Sequence, residues 1–306
     1  MMTTASRRAS LRPGKKSIAT EPGAAQRASR RRRVRTKRRT NSVTMGIVGW
    51  FLGIVFFFPV LWMVITSFKT EAQAYTNSPT IVFRPTLSEY SAVFHSGVWP
   101  YVANSAFATV VSTLIVLALA TPCAFALSLR PVRKTRDVLF FFISTKMLPV
   151  VAAIIPIYIA ARDLHMLDNI FTLVILYTAM NLPIAVWMMR SFFLEVPGEL
   201  LEAAEMDGAP LRRTVTEVIL PVVAPGLAAT ALICCIFAWN EFFLAVNITA
   251  TKAATMPVFL VGFISSEGLY FAQLAAAATV ATLPVVLAGW IAQRQLVRGL
   301  SFGAIK

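Results

Sequence analysis

Six segments of about 20 apolar residues constrain this chain more than any other feature. A helix that crosses the hydrocarbon core of a bilayer needs about 20 such residues. The segments lie at 45–67, 105–129, 138–161, 170–193, 222–247 and 271–292, and several of them are apolar on every side. The sequence therefore predicts an all-α membrane protein with six transmembrane helices, in which residues 45–292 form the membrane domain.

Composition separates a basic tail from a nearly neutral body. Hydrophobic residues make up 57% of the chain and charged residues 14%, which lies outside the usual range of a soluble domain. The net charge is +15, but 14 of the 29 Lys and Arg residues lie in 1–39, so that 15 basic and 13 acidic residues remain. We expect a disordered cytoplasmic tail at 1–44 that contacts membrane lipid rather than nucleic acid, because basic clusters beside a span attract anionic headgroups.

Charge in the connections predicts which side of the membrane each one faces. Basic residues are concentrated in the N-terminal tail, in the loop 130–136 and in the C-terminal tail 293–306. The alternate connections carry only Lys69, Arg84, Arg162 and Lys252. Since basic loops stay in the cytoplasm, both termini and the connection 195–221 are predicted to be cytoplasmic.

No residue pattern in the chain is typical of catalysis or of metal binding. The sequence has no phosphate-binding lysine loop, zinc-protease helix or nucleophile motif. Its cysteines lie in apolar runs and its histidines in separate connections; these residues are Cys123, Cys234, Cys235, His95 and His165. We therefore expect a protein that is not an enzyme and that binds no metal or cofactor of its own.

Five residues within or beside the predicted spans are candidates for contact with a solute, because polar groups in a membrane often face a cavity or a partner. Trp239, Asn240 and Glu241 could stack on and hydrogen-bond to a hydroxylated solute. Asn181 either lines a pathway or bridges two helices. Lys146 either contacts solute or extends its ammonium group toward the interface.

The connection 195–221 is unusually polar for its position between two apolar segments. Acidic residues at its start and Gly208 predict a short helix that ends in a left-handed glycine, and Pro210 can begin a second helix. That second helix would carry an apolar stripe formed by Leu211, Val215, Val218 and Ile219, and would stop at Pro221. A helix, a bend and an amphipathic helix are suited to docking against another protein.

This connection resembles the EAA loop of ATP-binding-cassette (ABC) importer permeases. The family pattern is Glu-Ala-Ala, three residues, Gly, nine residues, an aliphatic residue, one residue and Leu-Pro. The matching residues are Glu202, Ala203, Ala204, Gly208, Val218, Leu220 and Pro221, with Asp207 directly before the glycine. The resemblance implies a coupling helix that docks on a separate ATPase subunit and transmits its closure to the membrane helices.

The resemblance covers nearly all of the chain after the Arg-rich tail, which lies outside the family pattern. Segments such as PVLWMVITSFKT, FAWNEFFLAV and RGLSFGAIK are similar to the second permease of maltose-transporter-type carbohydrate importers. The segment STKMLPVVAAIIPIYI and the ending FGAIK resemble the sorbitol and mannitol members most. The resemblance implies the type I ABC importer permease fold in a bacterial cell membrane, and half of a pathway for a sugar or polyol. The implied partners are a second permease, an ATPase dimer that uses ATP and Mg²⁺, and an extracytoplasmic solute-binding protein or lipoprotein.

Three other functions are compatible with the residues alone. An ion-coupled secondary transporter would use Lys146 and Glu241 as an ionisable pair, although a rise of 1.5 Å per residue places them at different depths. A membrane scaffold would need only the basic tail. An ABC permease for an amino acid or peptide would share the same coupling loop.

Overall fold

A computed structural model describes the backbone of residues 22–76, 80–130, 133–265 and 268–302. It describes side chains for residues 44–76, 80–130, 133–264 and 270–293. Much of the predicted tail 1–44 and the end of the tail 293–306 lie outside the described residues. The backbone of 22–43 is helical, where the sequence predicted disorder, because its many Arg and Ala residues are good helix formers that continue an apolar helix.

The chain divides into two units, residues 1–60 and 61–306. The first unit contains most of helix α1 (Pro22–Thr66), and every described side chain from 44 to 60 is exposed. The second unit contains the other elements, namely α2 (Glu71–Ala74), α3 (Ser88–His95), α4 (Val98–Ser128), α5 (Thr135–Met147), α6 (Val150–Asp163), α7 (Ile170–Leu194), α8 (Gly198–Met206), α9 (Leu211–Arg213), a π-helical segment (Thr214–Ile219), α10 (Leu220–Trp239), α11 (Phe243–Ile248), α12 (Met256–Val261), the short antiparallel strands β1 (Ile264–Ser265) and β2 (Gly268–Leu269), and α13 (Phe271–Phe302).

Five helices in the described residues are long and apolar enough to cross a membrane, or six if one bent pair counts as a single span. The five helical stretches are Thr44–Thr66, Val98–Ser128, Ile170–Leu194, Leu211–Trp239 and Phe271–Gln293. Each of them overlaps a segment predicted from the sequence. The all-α membrane fold predicted from the apolar segments is therefore confirmed.

The segment predicted as a third span, 138–161, is a bent pair of helices. The helices α5 and α6 meet at an angle of 89°, and each is only about 20 Å long. The bend lies at Leu148 and Pro149, which both have extended backbone angles. A proline disfavours the helical conformation of the residue before it, which explains why an apolar run of sufficient length does not form one straight helix here.

The second helix of the connection 195–221 does not stop at Pro221 but continues into the next span. It runs from Leu211 to Trp239, and residues Thr214–Ile219 form a π-helical stretch directly before α10. A proline ring inside an α-helix clashes with the carbonyl of the preceding turn, and the wider π turn gives that ring room. The expected end of the amphipathic helix at Pro221 is therefore corrected to a continuous helix.

The core of the second unit is formed where α4 and α7 pack along each other. Both helices bury a residue at every fourth position. On α4 these residues are Ala108, Ser112, Val116, Ala120 and Ala124, and on α7 they are Leu173, Tyr177, Asn181, Ala185, Met189 and Phe193. Small side chains on one helix and large ones on the other allow close packing, and α10 packs on both helices.

Candidate functional site

The connection between α7 and α10 folds as a short helix followed by a tight left-handed turn. Gly208 has a φ angle of +66°, a conformation that glycine adopts without steric cost. The amide of Gly208 donates to the Glu205 carbonyl and the amide of Ala209 donates to the Ala204 carbonyl, both at 3.0 Å. These bonds satisfy the carbonyls at the end of α8, and Pro210 then precedes the next helix.

The two alanines of the predicted coupling helix face in different directions. Ala203 is exposed, together with Glu202 and Asp207, whereas Ala204 is buried against its own chain. Met206 is 88% exposed, although methionine is apolar. We call the exposed residues Glu202, Ala203, Met206, Asp207 and Gly208 the coupling face. Sequence analysis did not select Met206, because only its exposure distinguishes it from a core methionine.

The helix α8, which carries the coupling face, is held against the ends of the membrane helices by apolar contacts. Leu200 and Leu201 on α8 pack on the cluster of buried residues that contains Phe193 and Ile219, and so do Val215, Val218 and Leu220. Of the predicted stripe, Leu211 is 51% exposed instead. An ion pair between Arg130 and Glu205, at 2.8 Å, links α8 to the residues after α4; both groups are largely exposed, so it contributes little to stability.

Asn181 lies inside the packed core and bridges two helices. The residue is fully buried, and its Nδ2 donates to the Cys234 carbonyl at 3.3 Å. Its Oδ1 is buried without a hydrogen-bond partner, which carries a desolvation cost.

Lys146 is exposed, with its Nζ 5.9 Å from the centroid of the Phe237 ring. Lys146 forms no ion pair with Glu241 in the described part of the chain.

The residues Trp239, Asn240 and Glu241 mark the end of α10 and are largely engaged within the chain. Trp239 is 8% exposed and its Nε1 donates to the Ala281 carbonyl on α13 at 3.0 Å. Asn240 bonds to a carbonyl of its own helix. The Glu241 carboxylate accepts from the amides of Leu244 and Ala245, at 2.9–3.1 Å, and so it satisfies the first turn of α11. A role for these residues in solute contact stays a prediction.

Trp239 also lines a cavity of about 210 Å³ between α4, α10 and α13. The other lining residues include Ala106, Thr109, Cys235 and Pro284. The lining is almost wholly apolar, which is unlike a site for a hydroxylated solute. No cluster of three or more His, Cys, Asp or Glu side chains with the geometry of a metal site occurs in the described residues.

A polar contact that sequence analysis missed lies at the opposite end of α7 from the coupling face. Asp168, two residues before α7, accepts hydrogen bonds from the backbone amides of Ala250, Thr251, Lys252 and Ala253, at 2.9–3.2 Å. Burial would raise the pKa of Asp168, but the four amide donors outweigh it and hold the pKa far below its usual range. No local pattern predicts this contact, since the partners are 82–85 residues apart in sequence.

Comparison with known families decides the class of protein. Residues 118–302 match the family described as the binding-protein-dependent transport system inner membrane component. The match covers more than half of the chain and includes the connection 195–221. The chain belongs to this permease family.

Similarity to individual proteins extends over most of the permease. This chain is 35% identical over 272 residues to the probable ABC transporter permease protein y4oR of Sinorhizobium fredii, a match that covers 89% of this chain and 98% of the relative. It is 34% identical over 262 residues to the diacetylchitobiose uptake system permease protein DasC of Streptomyces coelicolor, with coverages of 84% and 93%. The fold is similar, with a TM-score of 0.70 and 25% identity, to a bacterial ABC transporter involved in the import of the acidic polysaccharide alginate, over 85% of this chain and 97% of that one.

Membership of the family fixes the general role of the permease. It is a multi-pass membrane subunit of an ABC transporter, not an enzyme, and the ATP is used by a separate ATPase subunit of the system. These observations confirm the family resemblance drawn from the coupling loop.

Proposed function

We propose that this permease forms half of the translocation pathway of an ATP-driven importer for a sugar or another carbohydrate, and that an ATPase subunit docks on its coupling face. The observation that carries the proposal is the geometry of 195–221. An exposed helix face with one large apolar side chain, Met206, ends in a left-handed Gly208 and continues directly into a membrane helix. An exposed methionine beside small residues gives a protein partner an adaptable apolar contact.

A displacement of the docked helix would reach the membrane without passing through a flexible linker. Leu200 and Leu201 pack on the buried cluster that contains Phe193 at the end of α7, and Val215 and Leu220 pack on the same cluster. Close-packed contacts transmit displacement because they have little free volume. The coupling face and the near ends of α7 and α10 therefore move as one unit when the ATPase pair closes.

The positive-inside distribution of Lys and Arg supports a cytoplasmic position for the coupling face and both termini. The full assembly contains a second permease, a dimer of ATPases that binds ATP and Mg²⁺, and an extracytoplasmic solute-binding protein or lipoprotein. Alternating access then follows from rocking of the coupling helices. The basic tail contacts anionic lipid in this arrangement.

Similarity to permeases for carbohydrates supports the class of solute. DasC is described as part of a diacetylchitobiose uptake system, and the solved structure belongs to an importer of alginate. Sorbitol and mannitol remain the specific prediction from the sequence. The polar groups of Trp239 and Glu241 are engaged within the chain, and Asn181 is fully buried. We therefore expect the second permease to supply most hydrogen bonds to the solute, with the exposed Asn240 and Lys146 as this chain's contribution.

The proposal is tested by uptake of radiolabelled sugars and polyols in a strain that lacks this chain, with and without a plasmid that restores it. We expect uptake of one carbohydrate to depend on the chain and to be blocked by vanadate, which traps ABC ATPases. Uptake that persists with vanadate and follows an ion gradient would overturn the proposal in favour of a secondary transporter. Uptake only of amino acids or peptides would overturn the class of solute.

A further inference from the structure

Asp168 joins two connections that are far apart in sequence. Its carboxylate accepts from four consecutive backbone amides, those of Ala250, Thr251, Lys252 and Ala253, and from the Thr251 hydroxyl at 3.4 Å. The amide of Asp168 itself donates to the Ile248 carbonyl at 3.0 Å. Asp168 has a φ angle of +52°, a left-handed conformation that aspartate tolerates better than most residues.

The segment that Asp168 holds is also fixed from α4. The Nδ2 of Asn104 donates to the carbonyls of Lys252 and Ala254, at 2.9 and 3.0 Å. The amide of Met256 donates to the Ser105 hydroxyl at 2.8 Å. The backbone of 250–256 is therefore bonded on one side to the connection before α7 and on the other to α4. We call the contact between Asp168 and the amides of 250–253 the Asp168 clamp.

The position of the clamp relative to the coupling face gives it a mechanical consequence. The 25 residues of α7 separate the two, a distance of about 37 Å. At one end of α7 the chain passes through the coupling face into α10. At the other end, Asp168 bonds to the segment that follows α10 and α11. The two helices are thus joined covalently at one end, and at the other end the clamp adds to the apolar packing of α7 on α10 and α11.

The Asp168 clamp fixes the segment 250–253 to the start of α7 firmly because four backbone amides donate to one charged carboxylate. Hydrogen bonds to an ionised group are about twice as strong as those between neutral groups. Four amides from one short segment fix its backbone conformation as well as its distance. A single neutral hydrogen bond between two exposed loops would leave both the angle and the separation free to vary.

We propose that Asp168 is a positioning residue for coupled transport, which makes the far ends of α7 and α10 move together when the coupling face is displaced. The inference rests on the proposed function, since it requires that the coupling face receives the closure of an ATPase. Without the clamp, the segment 250–253 is no longer fixed to the start of α7, and α7 is joined to α10 and α11 at the far end mainly by apolar packing. Displacement of the coupling face is then transmitted less completely to both sides of the pathway. ATP is then hydrolysed with less solute imported.

Hydrogen exchange tests whether the clamp exists in the assembled transporter. In the purified complex, we expect the amides of 250–253 to exchange about 10-fold or more faster in Asp168→Ala than in the wild type. Asp168→Asn preserves the size of the side chain and turns one acceptor into a donor, so we expect a similar increase. The control Asp163→Ala removes an acid from the same connection, where it pairs only with the exposed, adjacent Arg162 among the described residues. Unchanged exchange in both Asp168 variants would overturn the clamp.

Transport measured per ATP hydrolysed tests the positioning role. In proteoliposomes, we expect this ratio to fall about fivefold or more in Asp168→Asn and to stay at the wild-type value in Asp163→Ala. Loss of folded complex lowers uptake and hydrolysis together and leaves the ratio unchanged, so the ratio separates coupling from folding. Faster exchange with an unchanged ratio would overturn the positioning role. A wild-type complex that imports no solute with ATP would instead overturn the proposed function.

Discussion

Gly226 on α10 lies directly against the phenyl ring of Phe192 on α7. A Cβ atom placed on Gly226 would overlap the Cγ and Cδ2 atoms of Phe192. Because of this overlap, only a residue without a side chain allows this approach. The contact lies where α7 and α10 leave the coupling face, which makes their separation sensitive to a single methyl group.

Gly226→Ala is therefore expected to destabilise the permease by about 1–3 kcal/mol, because overpacking forces either the ring or a helix to move. Thermal unfolding of the purified complex measures the change. Gly289→Ala on α13 is the matched control, since nothing lies within 4 Å of its Cβ position. In a Phe192→Ala background, which lacks the ring, Gly226→Ala should cost little further stability. Equal melting temperatures for both alanine variants would contradict this account.

Gly208→Pro is expected to uncouple ATP hydrolysis from uptake while the protein stays in the membrane. Gly208 has a φ angle of +66°, whereas proline is fixed near −65°, so the turn after α8 cannot keep its form. Gly198→Ala is the control, since this residue of the same connection has open space around its Cβ position. ATPase and uptake rates in proteoliposomes provide the measurement, and normal uptake by Gly208→Pro at equal expression would refute the expectation.

The two alanines of α8 should respond differently to enlargement. Ala203→Leu adds bulk to the coupling face, so we expect weaker capture of the ATPase subunit with an unchanged melting temperature. Ala204 is 6% exposed and packs on its own chain, so Ala204→Leu should lower the free energy of unfolding by about 1–3 kcal/mol through overpacking, and the melting temperature with it. Co-purification of the ATPase and thermal unfolding measure the two effects. The same response to both substitutions would show that the coupling face is assigned incorrectly.

The Asp168 clamp is expected to be independent of pH across the physiological range. The pKa of Asp168 is lower in the folded protein than in the unfolded chain, so its contribution to stability is complete above the unfolded value of about 3.9. It is lost only as the pH falls below that value, through the folded pKa. Protection factors for the amides of 250–253, corrected for intrinsic exchange, should be constant from pH 5 to 8 on this basis. A loss of protection between those values would contradict the sign of the shift.

Sequence alone predicted the features that depend on local composition and spacing. The apolar segments predicted the helices because the length needed to cross a bilayer is a property of each segment by itself. The residues from Glu202 to Pro221 identified the permease family, and Gly208 was correctly expected to take a left-handed conformation. The end of the amphipathic helix at Pro221 was wrong, because a π-helical stretch allows the proline to be accommodated.

Only the tertiary structure decided which side chains face a partner and which face the chain itself. Ala203 and Ala204 are equivalent in sequence, yet only their packing shows that one is exposed and the other buried. The carbonyl partner of Asn181 also depends on a neighbouring helix. The Asp168 clamp was beyond prediction because its donors are backbone amides, which every residue except proline possesses, and folding alone brings them to that carboxylate.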